Sequence, residues 1–199
     1  MNKIYLLPFF FCFFLSQSQT KQYKSYNEYL GRTEEEVEMK KNATQELEIN
    51  PNNTDALYDR AYVMYVWNEY KKAIADLTLA IKIDPTKGDF YSIRADCKSS
   101  LSDYRGALLD FSEAIKIDPQ VYKNLNGRGA AKYFLGRYKE AISDFDKSII
   151  INPENSYGYL IRGLANIKLN KIENGCIDLS KAGELGEQRA YSRIKEFCN

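Results

Sequence analysis

The chain has 199 residues, with 28 Lys and Arg against 27 Asp and Glu, and no histidine. This balance of charge argues against a nucleic-acid partner, which requires a basic surface that neutralises phosphates. The absence of histidine excludes Ser-His-Asp triads, Cys-His dyads and His-based zinc sites. Glycine-rich phosphate loops, metal-spaced cysteine sets and Gly-x-Ser-x-Gly motifs are also missing from the sequence. We therefore expect no cofactor and no enzymatic activity, with a hydrolase that uses carboxylates alone as the open alternative.

The N-terminus has the features of a signal peptide. Lys3 precedes an unbroken apolar run of twelve residues from Ile4 to Leu15, whereas a membrane-spanning helix needs roughly 20. The sequence Ser-Gln-Ser that ends at Ser18 places small residues at the −3 and −1 positions of a signal-peptidase site. We predict a signal peptide over 1–18 and a secreted or periplasmic mature protein. An uncleaved anchor or a buried apolar helix is the alternative.

The segment that follows, 19–53, is predicted to cap the rest of the fold. Thr33 and Glu36 have the spacing of a capping box, which marks the start of a helix. That helix is expected over 33–50, and it ends in LEINP, a sequence that returns 34 residues later as IKIDP. We therefore interpret 19–53 as a degenerate leading repeat.

The body of the chain repeats every 34 residues, without insertions, from Thr54 onward. Two amphipathic stretches in each repeat flank a short break, which predicts a helix–turn–helix. Small residues recur at the eighth and twentieth places, where they allow close approach of the two helices: Ala61, Ala95, Gly129, Gly163 and Ala73, Ala107, Ala141, Gly175. We assign the repeats to 54–87, 88–121, 122–155 and 156–187, followed by a C-terminal capping helix over 188–199.

This pattern of small residues, aromatic residues and closing prolines resembles the tetratricopeptide repeat family over residues 54–189. The resemblance implies an all-α fold, a right-handed α-solenoid of helix–turn–helix repeats with capping helices at both ends. It also implies a non-catalytic module that binds a protein or peptide partner. A structural subunit of an envelope complex with an unoccupied groove, or a module that regulates an enzyme, remains the alternative.

Arginine at the seventh place and aspartate at the twenty-third recur in all four repeats. The seventh place lies about as far before the interhelical turn as the twenty-third lies after it, so each arginine is predicted to face the aspartate of its own hairpin. The alternative is a row of arginines that binds phosphate or carboxylate ligands. The predicted ion pairs are Arg60 with Asp76, Arg94 with Asp110, Arg128 with Asp144, and Arg162 with Asp178.

Three cysteines follow the predicted signal peptide. Cys176 occupies a place that is Ile or Leu in the other repeats, and Cys198 ends the helix predicted to fold over the same surface. In an oxidising compartment we predict a disulfide between them, with two separate buried thiols as the alternative. Cys97 has no partner base and is expected to be structural.

The resemblance implies that the first helix of each repeat lines a concave groove through its second, fifth, ninth and twelfth places. These places are rich in tyrosine at one end, acidic in the second repeat (Asp89 and Asp96) and apolar at the other end. The ligand predicted for this groove is an extended peptide or a helix with apolar anchors at both ends. Packing between neighbouring helices is the alternative role for the same side chains. The predicted groove residues are Tyr58, Tyr62, Tyr65, Asn126, Tyr133, Tyr157, Leu160 and Leu164.

Overall fold

The structure is a computed structural model that describes residues 31–198. The predicted signal peptide and the start of the predicted leading repeat lie outside the described residues. In the described part of the chain all regular structure is helical. The ten helices are α1 (Glu34–Ile49), α2 (Thr54–Val66), α3 (Tyr70–Ile83), α4 (Gly88–Ser100), α5 (Tyr104–Ile117), α6 (Tyr122–Phe134), α7 (Tyr138–Ile151), α8 (Ser156–Lys168), α9 (Ile172–Glu184) and α10 (Gln188–Phe197).

Consecutive helices pack against one another along the whole array, which confirms the predicted all-α solenoid. The helices α2 and α3 form the first hairpin, and α4/α5, α6/α7 and α8/α9 form the next three. The first helices of neighbouring hairpins contact each other, whereas the second helices of residues 31–198 do not. The stack therefore curves toward its first helices, which line the inner face.

Small residues set the spacing between the two helices of each hairpin. Ala61 and Ala73 are fully buried in the first hairpin, and Ala95 and Ala107 are fully buried in the second. In the fourth hairpin both places are glycine, and a Cβ on Gly163 would lie 2.9 Å from the Gly175 carbonyl oxygen. Large apolar side chains pack around these contacts at the twenty-fourth place: Leu77, Phe111, Phe145 and Leu179.

The turns inside the hairpins and the breaks between them each have a backbone conformation that recurs from repeat to repeat. The residue at the fifteenth place has a positive φ in every hairpin, a conformation that glycine and asparagine adopt most readily. These residues are Asn68, Ser102, Gly136 and Asn170. The second helices α3, α5 and α7 end one residue before an extended Asp84, Asp118 or Asn152. Each of these residues precedes a proline, which disfavours the helical conformation there.

Both ends of the array are covered by a helix. Thr33 and Glu36 form the reciprocal hydrogen bonds of a capping box at the start of α1, and α1 buries Ala43 and Leu47 against the first hairpin. At the other end, α10 packs on α9 and buries Ala190. Within residues 31–198, every helix is too short or too polar to traverse a lipid bilayer.

Candidate partner-binding groove

Aromatic rings from the first two hairpins cluster at one end of the inner face. The Tyr58 ring centroid lies 5.6 Å from that of Phe90 and 6.3 Å from that of Tyr62. Tyr58 is half-buried by this packing, whereas Tyr62 keeps 42 % of its surface exposed. One turn further along α2, Tyr65 packs with its ring centroid 6.2 Å from that of Tyr70. This end of the groove therefore presents an aromatic surface whose most exposed ring is Tyr62.

The opposite end of the inner face combines apolar and aromatic side chains. Tyr133 meets Phe134 and Tyr138 edge-on, at centroid distances of 5.5 and 5.4 Å. Tyr157 packs against Phe145 at 6.5 Å. Leu164 is partly buried against the core of the fourth hairpin. These residues therefore serve both as packing and as partly accessible surface.

Two predicted groove residues are not available to a ligand, and the structure corrects them. Leu160 is only 2 % exposed and belongs to the core of the fourth hairpin. Asn126 is 8 % exposed, and its side chain exchanges hydrogen bonds of 2.8 and 3.0 Å with Asn155. It also accepts a hydrogen bond of 2.7 Å from the Ser148 hydroxyl. The polar groups of Asn126 therefore join the third and fourth hairpins.

The four arginines of the seventh place face the four aspartates of the twenty-third place. Each arginine donates two parallel hydrogen bonds, from Nε and Nη2 to the two carboxylate oxygens, at 2.6–2.9 Å. Such bidentate geometry is strong and directional. The pairs are Arg60–Asp76, Arg94–Asp110, Arg128–Asp144 and Arg162–Asp178. The arginine charges are thus neutralised within each hairpin, which disfavours a row of anion-binding sites.

Two lysines that the sequence reasoning did not assign also bind these aspartates. Lys98 Nζ lies 2.7 Å from Asp110, and Lys132 Nζ lies 2.7 Å from Asp144. Each lysine follows the arginine of its repeat by four residues, which places both cations on one face of the helix. The spacing of four residues between arginine and lysine is the feature of the sequence from which these two contacts could have been predicted.

The structure places the Sγ atoms of Cys176 and Cys198 at bonding distance, with their Cα atoms 5.7 Å apart. This Cα separation is typical of a disulfide. Cys97 is buried, and burial raises the pKa of its thiol to about 12. A thiol that stays protonated at neutral pH is a poor nucleophile.

Four tyrosines of the inner face have pKa values shifted by burial. Burial raises the pKa values of Tyr58, Tyr65, Tyr133 and Tyr157, so these phenols remain neutral hydrogen-bonding groups. Residues 31–198 contain no cluster of three His, Cys, Asp or Glu side chains suited to a metal ion. The inner face therefore offers rings, hydroxyls and carboxylates, among them that of Asp96.

Trp67, at the end of α2, makes contacts with the leading helix α1 that the sequence did not predict. Its indole Nε1 donates a hydrogen bond of 3.0 Å to Glu36. The Arg32 guanidinium carbon lies 4.0 Å from the Trp67 ring centroid, and Lys40 Nζ lies 4.4 Å from it. The hydrogen bond from Trp67 is the largest contribution that lowers the pKa of Glu36. Trp67 therefore fastens α1 to the end of α2.

A family model described as tetratricopeptide repeat matches residues 122–155. These residues are the third hairpin, α6 and α7. No curated protein sequence matches the chain.

Solved structures with the same fold cover most of the chain. The structure of YrrB, described as a protein of this repeat type with an unusual peptide-binding site, aligns with a TM-score of 0.73 and 18 % identity over 86 % of this chain and 89 % of its own. MamA from Desulfovibrio magneticus RS-1 aligns with a TM-score of 0.72 and 16 % identity, over 83 % of this chain and 93 % of its own. The first repeat domain of Spaghetti (RPAP3), bound to the HSP90 peptide SRMEEVD, aligns with a TM-score of 0.58 and 21 % identity. This alignment covers 59 % of this chain and 93 % of that domain.

Proposed function

Because its third hairpin matches the tetratricopeptide repeat and its fold is shared with solved proteins of this repeat type, we propose that this chain is a tetratricopeptide-repeat protein, a non-catalytic scaffold that binds a partner protein in the groove of its first helices. The observation that carries the proposal is the aromatic end of the inner face, where Tyr62 is 42 % exposed beside the half-buried Tyr58. A tyrosine ring contributes a large contact area at low entropic cost and keeps a hydroxyl for hydrogen bonding. Two of the similar structures are described by their peptide binding, which supports the same role.

The ligand proposed for this groove is an extended segment or a helix with an apolar anchor at each end. One anchor packs on Tyr58 and Tyr62, and the other packs on Leu164 at the far end. The near-balance of charge over the chain makes nucleic acid a poor candidate.

A direct test uses short random peptides displayed on phage and selected on the purified protein. The affinity of a selected peptide is then measured by fluorescence anisotropy for the wild type and for Tyr62→Ala. We expect at least tenfold weaker binding to Tyr62→Ala, equivalent to about 1.4 kcal/mol, and little change in the melting temperature because Tyr62 lies on the surface and outside the buried core. Leu164→Ala should also weaken binding. Because the Leu164 side chain is partly buried, this substitution can also reduce stability, so circular dichroism is used to confirm that the variant is folded.

The matched control is Leu109→Ala, which removes an apolar side chain that is 66 % exposed on a second helix, α5. The control should bind the selected peptide as the wild type does. Equal affinities for Tyr62→Ala, Leu164→Ala and the wild type would contradict binding in the groove.

A second candidate function is assembly through the outer helices. Leu109, Ile150 and Ile177 are 66 %, 78 % and 63 % exposed on α5, α7 and α9, and exposed apolar side chains support association. Loss of complex formation in Leu109→Ala or Ile177→Ala, with groove variants unaffected, would favour the role of a structural subunit.

We further propose that the protein acts outside the cytoplasm. The apolar run before Ser18 and the proximity of Cys176 to Cys198 support this location. Sequencing the N-terminus of the protein isolated from its source should give Gln19 as the first residue. An intact Met1 would contradict cleavage.

A further inference from the structure

The carboxylate of Asp96 stands in the middle of the inner face. Asp96 lies on α4, and burial of its side chain is the main reason that its pKa is raised to about 6. Among residues 31–198, no side chain or backbone amide donates a hydrogen bond to it, and no cation pairs with it within 4 Å. This contrasts with Asp110 on the neighbouring α5, whose carboxylate is held by both Arg94 and Lys98.

Asp96 lies at the edge of a cavity of about 270 Å³ between α4 and α6. The walls combine the carboxylate with hydroxyl groups, aromatic rings and small residues. Lining residues are Asp96 and Ser99 from α4, Phe111 from α5, Gly127 and Ala130 from α6, and Tyr157 from α8. Four helices from three hairpins therefore contribute to one cavity on the inner face.

Gly127 lies on the wall of this cavity and packs directly against Phe111. A Cβ at this position would overlap the ring of Phe111, a core side chain that is 2 % exposed. Because Gly127 has no side chain, the Phe111 ring packs closely against the backbone of α6 and forms a buried apolar part of the wall. The lining of the cavity thus combines apolar groups with the Asp96 carboxylate.

The charged and titratable groups that face Asp96 come from three neighbouring helices. Tyr65 on α2 and Tyr157 on α8 lie close enough for the Asp96 charge to raise their pKa values. Within residues 31–198, the cation whose charge stabilises the ionised Asp96 carboxylate is Lys123 on α6. The two side chains do not form a direct ion pair. A second cation brought by a ligand would find the carboxylate oxygens free of hydrogen bonds from residues 31–198.

We propose that this cavity, the Asp96 pocket, is the subsite that selects the partner: it receives a lysine or arginine side chain of the bound segment. The aliphatic stem of that side chain packs on Ala130 and Tyr157, and its cationic head pairs with Asp96. This inference rests on the proposed binding of a peptide in the groove, and it adds the chemistry by which the groove selects its ligand.

Charge and shape together favour this occupant. A wholly apolar side chain would bury the unpaired Asp96 carboxylate further, at a cost in desolvation. An acidic side chain would place two negative charges together, which is unfavourable. A lysine or arginine matches both parts of the cavity, because each combines an apolar stem with a charged end.

The test uses the peptide library described above, selected in parallel on the wild type and on Asp96→Asn, a variant of nearly identical shape. Peptides selected on the wild type should share one lysine or arginine among apolar residues, and those selected on Asp96→Asn should lack that preference. For one selected peptide, replacement of its basic residue by norleucine should weaken binding to the wild type at least tenfold. The same replacement should have little effect on binding to Asp96→Asn.

Two controls identify the origin of the effect. Asp89→Asn removes an exposed carboxylate from the same helix and should retain the preference of the wild type. Substitution of both Lys21 and Lys24 by glutamine, in the leading segment, should leave peptide affinity unchanged. A marked gain in affinity would instead assign the pocket to the chain's own leading segment and overturn the proposal.

The outcomes separate this inference from the proposed function. Selected peptides that depend on Tyr62 but carry no basic residue would overturn the Asp96 pocket and leave the groove as the binding site. Failure to select any peptide, or peptides unaffected by Tyr62→Ala, would contradict the proposed function itself.

Discussion

Arg128 holds Asp144 through two hydrogen bonds of 2.9 and 2.6 Å, and Lys132 approaches the same carboxylate to 2.7 Å. The Asp144 side chain is only 2 % exposed, so its charge depends on these two cations. In the first hairpin the corresponding Asp76 is 14 % exposed, and within residues 31–198 its ion-pair partner is Arg60 alone. The arginine–aspartate pairs of the repeats therefore share one geometry but differ in how deeply they are buried.

Asp144→Asn should be more destabilising than Asp76→Asn. Removal of the Asp144 charge leaves Arg128 and Lys132 partly buried without their counterion, and breaking a buried pair in this way costs about 3–5 kcal/mol. Asp76→Asn leaves a single cation, Arg60, which is more exposed to solvent. We therefore expect a smaller loss of unfolding free energy. Urea unfolding followed by circular dichroism measures both; equal losses would contradict the importance of burial and of the second cation.

Asp96→Asn should stabilise the protein at neutral pH. The pKa of Asp96 is raised to about 6 from the ordinary aspartate value of 3.8, so the folded state retains its proton to higher pH than the unfolded state. The ionised side chain therefore lowers the free energy of unfolding progressively from about pH 4 to pH 6, by about 2–3 kcal/mol in full. The variant should exceed the wild type in stability at pH 7 and match it near pH 4.

Unfolding free energies of the wild type and Asp96→Asn at several pH values test this dependence. Asp89→Asn, an exposed position on the same helix, serves as the control and should show no comparable gain. A difference that does not change between pH 4 and pH 7 would assign the effect of Asp96→Asn to something other than its charge.

Gly163→Ala should destabilise the fourth hairpin. The new Cβ would lie 2.9 Å from the Gly175 carbonyl oxygen and 3.1 Å from Asp178 Cβ, and backbone atoms cannot move aside as a flexible side chain can. Forcing atoms into a packed contact costs about 1–3 kcal/mol. Thermal unfolding should show the loss.

Gly88→Ala is the matched control for that substitution. Its Cβ would lie 3.5 Å from Ile117 Cγ2, an ordinary contact, and alanine favours the helix over glycine. This control should be neutral or stabilising. A loss in Gly88→Ala as large as that in Gly163→Ala would show that close helix approach is not the cause.

The proposed disulfide should fasten the C-terminal helix to the fourth hairpin. Peptide mapping of unreduced protein by mass spectrometry should find Cys176 linked to Cys198, with Cys97 as a free thiol. The two cysteines are 22 residues apart, and a loop of this length corresponds to about 3 kcal/mol in the chain-entropy account. Cys198→Ser should lower the melting temperature, whereas reductant should have no further effect on that variant; Cys176 and Cys198 found in separate, unlinked peptides would contradict the bond.

Local and periodic features of the sequence were sufficient to predict the helical array. The period of 34 residues places Ala61 and Ala73 at equivalent points of the two helices, and small residues there permit close packing. The arginine and aspartate of one hairpin are 16 residues apart, a distance that the turn between the helices closes. Such relationships can be inferred because each depends on residues within one repeat.

Only the tertiary structure decided which inner-face residues a partner can reach. Their positions within the repeat assign Asn126 and Leu160 to the same helical face as Tyr62. In the structure, however, Asn126 and Leu160 are buried, whereas Tyr62 is exposed. The difference arises from side chains of other elements: Ser148 and Asn155 pair with Asn126, and the core of the fourth hairpin surrounds Leu160. The cavity at Asp96 likewise brings together residues that are distant in the sequence, such as Gly127 on α6 and Tyr157 on α8. Helical periodicity determines the direction of a side chain, but the neighbouring repeats determine whether space, solvent or another side chain occupies that direction.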